Sequence, residues 1–110
     1  MIDIYKIEYS LDAYGDLRRI YSYIANELHV PETAAKQLKR IREKIRSLDT
    51  MPSRHVLVDW EPWHSMNMHQ FPIDHYVVYY LIDDENKTVT VARVFYSSQD
   101  IRSIINLNKQ

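Results

Sequence analysis

The sequence contains no cysteine and only one glycine, Gly15, among its 110 residues. The lack of cysteine excludes disulfide bonds and thiolate metal sites, and it fits a protein of the reducing cytoplasm. A single glycine excludes the glycine-rich phosphate-binding loops of nucleotide-cofactor enzymes. The spacing of the histidines matches no common zinc pattern either. We therefore expect neither a cofactor nor a metal ion.

Long apolar runs are also missing. No run reaches the roughly 18 residues that a membrane-spanning helix needs, and residues 1–6 lack the layout of a signal peptide. Hydrophobic residues make up 45% of the chain and the formal net charge is −1, which is typical of a folded rather than a disordered chain. The sequence predicts one domain, residues 1–110, in the cytoplasm and without a membrane partner.

Positive charge is concentrated in one segment of this nearly neutral chain. Seven of the 14 Lys and Arg residues fall between positions 36 and 54. These residues are Lys36, Lys39, Arg40, Arg42, Lys44, Arg46 and Arg54. Such a cluster can attract an anionic partner, or it can be the solvated face of a helix. The sequence leaves both interpretations open.

Periodicity in the first half predicts a strand followed by two helices. Residues 2–9 end in the alternation of a half-buried strand. Apolar residues then recur at steps of three and four over 13–28 and again over 34–48, which is typical of amphipathic helices. Pro31, between the two stripes, suits the first turn of the second helix. The two helices are therefore expected to form an antiparallel hairpin.

The second half predicts a β-meander. Residues 65–73 alternate weakly, and two β-branched and aromatic runs, 76–82 and 88–96, flank a polar turn in the manner of a hairpin. The first run is apolar almost throughout, so we expect a central strand that is covered on both faces. The sequence also allows a further short strand over residues 54–59, which the predicted order given below does not include.

Two smaller features complete the predicted order. Trp60 and Trp63, on either side of Pro62, are expected to anchor a loop against the core. Residues 97–100 fit a capping box and precede a short final helix. The predicted order is β-α-α-β-β-β-α, an α+β fold in which the helical hairpin packs on one face of an antiparallel sheet.

The order and spacing of these segments resemble the RelE/ParE superfamily of bacterial toxins. The resemblance is carried by residues 16–24, by 34–48 followed by Pro52, by 76–83 and by 89–100. It implies the toxin half of a type II toxin–antitoxin pair, held inactive by a cognate antitoxin protein. RelE-like members cut mRNA on the ribosome, whereas ParE-like members inhibit DNA gyrase and are not hydrolases.

A ribonuclease of this kind must help a 2′-hydroxyl attack the adjacent phosphate, which requires proton transfer and cations beside the phosphate. Arg93 and Tyr96 match positions that carry an arginine and a tyrosine in some ribonuclease members. The candidate catalytic set is completed by His69 and His75, which titrate near neutral pH, and by Arg54. We expect the histidines to lie near the same end of the sheet.

Two positions depart from the ribonuclease pattern. Val77 follows Tyr76 where RelE-like members usually carry an arginine, and Phe95 stands where some carry a histidine. The leading prediction is nevertheless a metal-independent mRNA interferase that acts on the ribosome. A ParE-like gyrase inhibitor and a non-toxic antitoxin-binding form are the alternatives.

The antitoxin is expected to present a segment with apolar anchors and acidic residues. Its predicted docking surfaces are an apolar sheet edge and the basic helix. The residues predicted to bind the antitoxin or nucleic acid are Lys36, Lys39, Arg40 and Arg46.

Overall fold

The computed structural model describes residues 3–97. The final helix that the sequence predicts after Ser97 lies outside these residues. The main elements are β1 Lys6–Tyr9, α1 Leu11–Ser22, α2 Pro31–Arg46, β2 His69–Ile73, β3 Tyr76–Asp83 and β4 Thr88–Tyr96. A π-helical turn, Tyr23–Glu27, extends α1, and two 3-10 turns, Ser47–Asp49 and Pro52–Arg54, follow α2.

Helix α1 begins at a cap that also joins it to the sheet. The Ser10 hydroxyl accepts a hydrogen bond from the Ala13 amide at 3.0 Å and donates one to the Ala92 carbonyl at 2.7 Å. The first bond satisfies a helix N–H that has no intrahelical acceptor. The second fixes the start of α1 beside β4, which decides where the side chains of α1 can reach.

The sheet has the strand order β1-β4-β3-β2. The β2–β3 and β3–β4 pairs are antiparallel as expected, but β1 pairs with β4 in parallel. The sheet is therefore mixed, whereas the sequence predicts an antiparallel one, because alternation identifies a strand without giving the direction of its neighbour. The α+β class, with two helices packed on a four-stranded sheet, is confirmed.

The core has two parts, one on each face of the sheet. The helix side is filled by residues such as Ile41, Ile45, Val78 and Val91, all inaccessible to solvent. The opposite side is covered by the segment 55–68, which buries Val58, Trp63 and Met68 against Tyr79 and Phe95. Strand β3 is thus covered on both faces, as the sequence predicts.

The covering segment is a loop rather than a strand. Trp60 and Trp63 stack with ring centroids 4.9 Å apart, and Trp63 packs on Tyr79 at 4.8 Å. The loop-anchoring role of the tryptophans is therefore confirmed. The strand predicted over 54–59 is wrong, since only Leu57 forms a bridge, to His69. The segment lies over the face of the sheet to bury its apolar residues, and this leaves little of it free to pair at the edge.

Candidate functional site

The far end of β4 has no strand on one side. Strand β1 ends at Tyr9, opposite Val91. From there to Tyr96, β4 has no neighbouring strand on that side. The β3–β4 register also shifts, because Arg93 lies opposite Tyr79 whereas Val91 lies opposite Tyr80. This bulge inserts one extra residue and turns the side chains of β4. The end of β4 therefore needs hydrogen-bond partners from outside the sheet.

Asp16 of α1 supplies them. Its carboxylate accepts the Val94 amide at 2.9 Å, in place of a neighbouring strand. It also accepts the Arg93 guanidinium twice, Nε at 2.8 Å and Nη2 at 3.0 Å, and it pairs with Arg19. The side chains of Asp16 and Arg93 are only 2% and 12% exposed. We call this buried set, Asp16, Arg93 and the Val94 amide, the carboxylate node.

The carboxylate node keeps Arg93 charged and fixed in place. Hydrogen bonding to Asp16 raises the pKa of the Arg93 guanidinium further above its usual value. The guanidinium also lies over the ring of Phe95, 4.5 Å from its centroid. A bidentate arginine–carboxylate pair of this kind is a strong, directional contact. Arg93 therefore ties α1 to the end of β4.

A groove of about 940 Å³ runs between the C-terminal half of α1 and the end of β4. The carboxylate node forms one part of its wall. The remainder is largely apolar and aromatic, with Leu28 and the three tyrosines Tyr23, Tyr76 and Tyr96, and it includes the charged residues Asp12 and Arg19. Leu28, Tyr23 and Tyr96 are 52%, 58% and 45% exposed. Such a surface has the area and hydroxyl groups to bind another macromolecule.

One of the predicted catalytic residues, Tyr96, lines this groove, and a second, His75, lies beside Tyr96. The rings of His75 and Tyr96 are 6.5 Å apart, and Tyr96 meets Tyr76 edge-on at 5.7 Å. The His75 carbonyl accepts the Ser97 amide at 2.8 Å, which holds the turn against the end of β4. Burial, and next the neighbouring Tyr96, raise the pKa of Tyr76.

The other predicted catalytic residues lie in a second cluster. The rings of His69 and Tyr80 stack with centroids 5.1 Å apart, and the Nδ1 of His69 lies 2.7 Å from the His55 carbonyl oxygen. His55 stacks on Phe71 at 3.9 Å, and its Nε2 is buried without a hydrogen-bond partner. We call His55, His69, Tyr80 and Phe71 the histidine cluster. Burial, and next Arg54, lower the pKa of His55.

Arg54 lies beside the histidine cluster and hydrogen-bonds to the backbone. Its guanidinium donates to the carbonyls of Thr50 at 2.6 Å, Met51 at 3.3 Å and Ser47 at 3.2 Å. These bonds close the turns that follow α2. The Tyr80 hydroxyl donates to the Pro52 carbonyl at 2.5 Å, and burial raises the pKa of Tyr80 to about 12. This end of the sheet is a packed junction.

The two groups of candidate residues are well separated. Tyr96 pairs with Tyr76 whereas His69 pairs with Tyr80, on the other side of β3. Four residues along the strand and two strand spacings across it place the backbones of Tyr96 and His69 about 16 Å apart. The expectation that the histidines share one end of the sheet is wrong, since His69 and His75 lie at opposite ends of β2.

The predicted basic surface lies on α2 but is divided. Arg40 donates to Asp74 at 2.7 Å, and hydrogen bonds from Gln37 and next Arg40 lower the pKa of Asp74. Lys36, Lys39 and Arg46 are exposed on the helix. Arg42 lies on the side of α2 that faces β1, with its guanidinium 5.6 Å from the centroid of the Tyr9 ring.

Asp16 is the residue that sequence reasoning misses. It is three residues after Ala13 and four before Ile20, so it falls within the apolar stripe of α1. A carboxylate in such a stripe must find a partner when the helix packs on the sheet. The position of Asp16 was the available signal, and only the structure identifies Arg93 and Val94 as its partners.

Two negative findings concern the part of the chain that the structure describes. Between residues 3 and 97, no three His, Asp or Glu side chains are grouped so that they could hold a metal ion. In the same range, every helix is too short or too polar to cross a membrane.

Two helices packed on a mixed four-stranded sheet match the fold of solved RelE/ParE toxin structures. One toxin in the chromosomal ParDE system from P. aeruginosa superposes with a TM-score of 0.70 at 18% identity, over 86% of this chain and 97% of that chain. The free E. coli RelE toxin, in a mutant form, gives 0.63 at 13% identity, over 96% and 97%. The RelBE2 complex from Mycobacterium tuberculosis gives 0.59 at 21% identity, over 87% and 94%.

The sequence itself gives the family. The profile of the ParE toxin of type II toxin–antitoxin systems, parDE, matches residues 7–101. No curated protein sequence matches significantly. The chain belongs to the ParE toxin family, and it is the toxin of a type II toxin–antitoxin system with a cognate antitoxin as partner.

Proposed function

We propose that this toxin stops growth by binding DNA gyrase rather than by cutting mRNA on the ribosome. The observation that carries the proposal is the state of Arg93. Its guanidinium donates two hydrogen bonds to the buried carboxylate of Asp16, at 2.8 and 3.0 Å. An arginine that is neutralised in this way supports the end of β4, and its charge is not directed at a phosphate.

The separation of the other candidates supports the same proposal. General acid–base catalysis needs donors and acceptors within hydrogen-bond reach of one reacting atom. His69 and Arg54 belong to the histidine cluster and its adjoining turns, whereas Tyr96 and His75 lie at the other end of β2 and β3. A gyrase inhibitor needs a binding surface and no such set. The tyrosine-lined groove provides one, because tyrosine is enriched in protein–protein hot spots.

The direct test is a pair of reactions with the purified chain. In the first, gyrase supercoils a relaxed plasmid with ATP, and we expect inhibition at chain concentrations similar to that of gyrase. In the second, ribosomes translate an mRNA whose 5′ ends are mapped by primer extension, and we expect no new ends. Unaffected supercoiling together with new ends within codons would overturn the proposal. Normal activity in both reactions would identify a non-toxic antitoxin-binding form.

A matched pair of tyrosine variants tests the role of the groove. Tyr23 lines the groove and is 58% exposed, whereas Tyr21 lies outside it and is 42% exposed. We expect Tyr23→Ala to weaken gyrase inhibition about tenfold, the effect of one moderate interface residue. Tyr21→Ala should leave inhibition within about twofold. Equal effects of the two variants would contradict the assignment of the groove.

One observation favours mRNA cleavage as the second candidate. His75 lies beside Tyr96, which lines the groove, and both side chains can transfer a proton. His75→Gln and Tyr96→Phe remove these proton-transfer groups with little change in shape. Loss of toxicity in both variants, with folding intact, would favour the ribonuclease. The gyrase proposal expects both to remain toxic.

A further inference from the structure

Helix α2 carries the positive charge of a molecule that is otherwise acidic. It contains six Lys and Arg residues against two Glu residues, so its 16 residues have a net charge of +4. Because the whole chain of 110 residues has a net charge of −1, the 94 residues outside α2 carry −5. All six cationic side chains of α2 are exposed. The near-neutral total therefore hides a strongly uneven distribution of charge.

Most of these α2 cations have no carboxylate partner. Among residues 3–97, the only ion pair of an α2 residue joins Arg40 to Asp74 at 2.7 Å. Elsewhere in that range, four of the cations are paired with a carboxylate, namely Lys6, Arg19, Lys87 and Arg93. The cations left on α2 are Lys36, Lys39, Arg42, Lys44 and Arg46, and we call them the cationic face. The fold neutralises most of its other cations and leaves these five to an external anion.

The cationic face offers little to a protein partner. Between residues 31 and 46, no large hydrophobic side chain is exposed. Protein–protein interfaces depend on a desolvated centre with apolar or aromatic anchors, and lysine is depleted there. A nucleic-acid backbone is instead bound by lysine and arginine without an apolar centre. The composition of this surface therefore fits a row of phosphates better than an acidic polypeptide.

The spacing of the charges also suits a nucleic acid. Lys39 and Arg46 are seven residues apart on one side of α2, with Arg42 between them, and so they span about 10 Å. Duplex DNA carries one negative charge per about 1.7 Å of its axis, so several phosphates lie within that span. Beside Arg42, the rings of Tyr9 and Tyr14 stack with centroids 5.3 Å apart. Tyrosine hydroxyls are further donors to phosphate at this end of the surface.

We propose that the cationic face of α2 is a binding site for the phosphate backbone of double-stranded DNA. The choice of DNA rather than RNA rests on the proposed gyrase function, since gyrase holds DNA when it acts. The tyrosine-lined groove is formed by α1, the turns after it, β3 and β4. Because α2 is a separate surface, the toxin can contact gyrase through the groove and the bound DNA through α2. Contacts to phosphate carry no sequence information, so the DNA is bound whatever its sequence.

Binding of a short fluorescent DNA duplex to the purified chain, followed by anisotropy without gyrase, tests the site directly. The affinity should fall steeply with salt, with a slope of log K against log salt of about −3 to −4, the value for about four phosphate contacts. Absence of binding at low salt and about 100 µM chain, where non-specific DNA binding is normally detectable, would overturn the proposal.

A matched pair of double variants locates the binding surface. Lys39→Gln with Arg46→Gln removes two charges from the cationic face. Lys6→Gln with Lys87→Gln removes two exposed charges elsewhere and changes the net charge equally. We expect the first double variant to flatten the salt slope by about 2 and to weaken binding about tenfold or more at low salt, whereas the second should change the affinity less than about threefold. Equal losses would mean that only net charge matters, and the cationic face would not be a site.

Two competitors separate DNA from the other polyanions. Duplex RNA of the same sequence and polyglutamate of the same length in charges are each added to the labelled DNA complex. We expect the unlabelled DNA duplex to displace the label at a lower concentration than either polymer. Stronger competition by polyglutamate would assign the surface to an acidic protein. Stronger competition by RNA would assign it to a ribosomal target, and either result would overturn the proposal.

The gyrase reaction shows whether the site is used. The Lys39→Gln, Arg46→Gln variant should inhibit supercoiling about fivefold less well than the parent, while calorimetry should show its binding to DNA-free gyrase within about twofold of the parent. An equal loss in both measurements would place the cationic face on the gyrase protein and overturn the proposal. If the parent binds DNA but does not inhibit gyrase, the gyrase function fails and the DNA site is retained. If the parent inhibits gyrase but does not bind DNA, only the DNA site fails.

Discussion

The carboxylate node and the histidine cluster lie on opposite sides of strand β3, and they satisfy their buried polar atoms differently. Asp16 accepts hydrogen bonds from Arg93, Arg19 and the Val94 amide. His55 has a buried Nε2 with no partner. A buried polar group costs little when it is paired and much when it is not. The carboxylate node is therefore fully paired, whereas the histidine cluster holds an unsatisfied group.

The comparison also separates support from function. In the carboxylate node, Arg93, which resembles a catalytic residue in sequence, pairs with the carboxylate that completes a strand end left without a neighbour by β1. In the histidine cluster, two residues that resemble acid–base groups stack on Tyr80 and Phe71 and pack beneath the turns after α2. In both the carboxylate node and the histidine cluster, residue types that suit catalysis stabilise the fold.

The largest effect is expected from breaking the carboxylate node at its acidic member. Asp16→Ala leaves the Arg93 guanidinium and the Val94 amide buried without their acceptor. Removing one partner of a buried ion pair typically costs about 3–5 kcal/mol. Urea unfolding followed by circular dichroism would measure the change in the free energy of unfolding.

Asp12→Ala is the matched control for that experiment. Asp12 lies on the first turn of the same helix and is exposed. Its loss removes a helix-dipole contact, worth about 0.3–1 kcal/mol, and a longer-range attraction to Arg93, but no buried hydrogen bond. If Asp16→Ala lowers the free energy of unfolding no more than this control does, the carboxylate node does not stabilise the end of β4 as described.

A smaller effect is expected when Arg93, the basic member of the carboxylate node, is replaced. In Arg93→Met, the Asp16 carboxylate keeps the Val94 amide and Arg19, and the methionine retains part of the packing. We expect destabilisation of about 1–3 kcal/mol, the cost of a poorly satisfied buried group. The Asp16→Ala, Arg93→Met double variant should be less destabilised than the sum of the single variants by about 0.5–3 kcal/mol. Additive values from the same urea experiments would show that the two side chains act independently.

The sequence predicts the elements of this fold better than their contacts. Periodicity identifies α1, α2 and the β3–β4 hairpin because each buries an apolar stripe or face whose spacing is visible in the chain. It cannot give the direction of β1 relative to β4, since that depends on how the whole chain returns to the sheet.

The candidate site shows the same limit more strongly. The sequence selects Arg93 for its type and position, but the partner that fixes it, Asp16, lies 77 residues away. His69 and His75 are six positions apart in the chain, yet β2 separates them in space. The type of a side chain can be read locally, whereas its hydrogen-bond partners are set by long-range packing.

The smallest effect is expected at the histidine cluster and depends on pH. Burial, and then Arg54 and His69, lower the pKa of His55 below its usual 6.5. Between that lowered value and 6.5 the unfolded chain binds more protons than the folded chain does. The free energy of unfolding should therefore fall as the pH drops through 6.5, and it should level off below the pKa of His55 in the folded chain. His55→Phe keeps a ring against Phe71 and removes both the titrating group and the unpaired nitrogen, so it should be at least as stable as the parent at pH 8 and lose less stability at pH 5. The groups that face the imidazole, Arg54, His69 and Tyr80, are unchanged in this pair, so the difference between the two urea titrations isolates His55. If the free energy of unfolding changed in parallel for the parent and His55→Phe from pH 8 to pH 5, the buried nitrogen of His55 would not be a weak point of the fold.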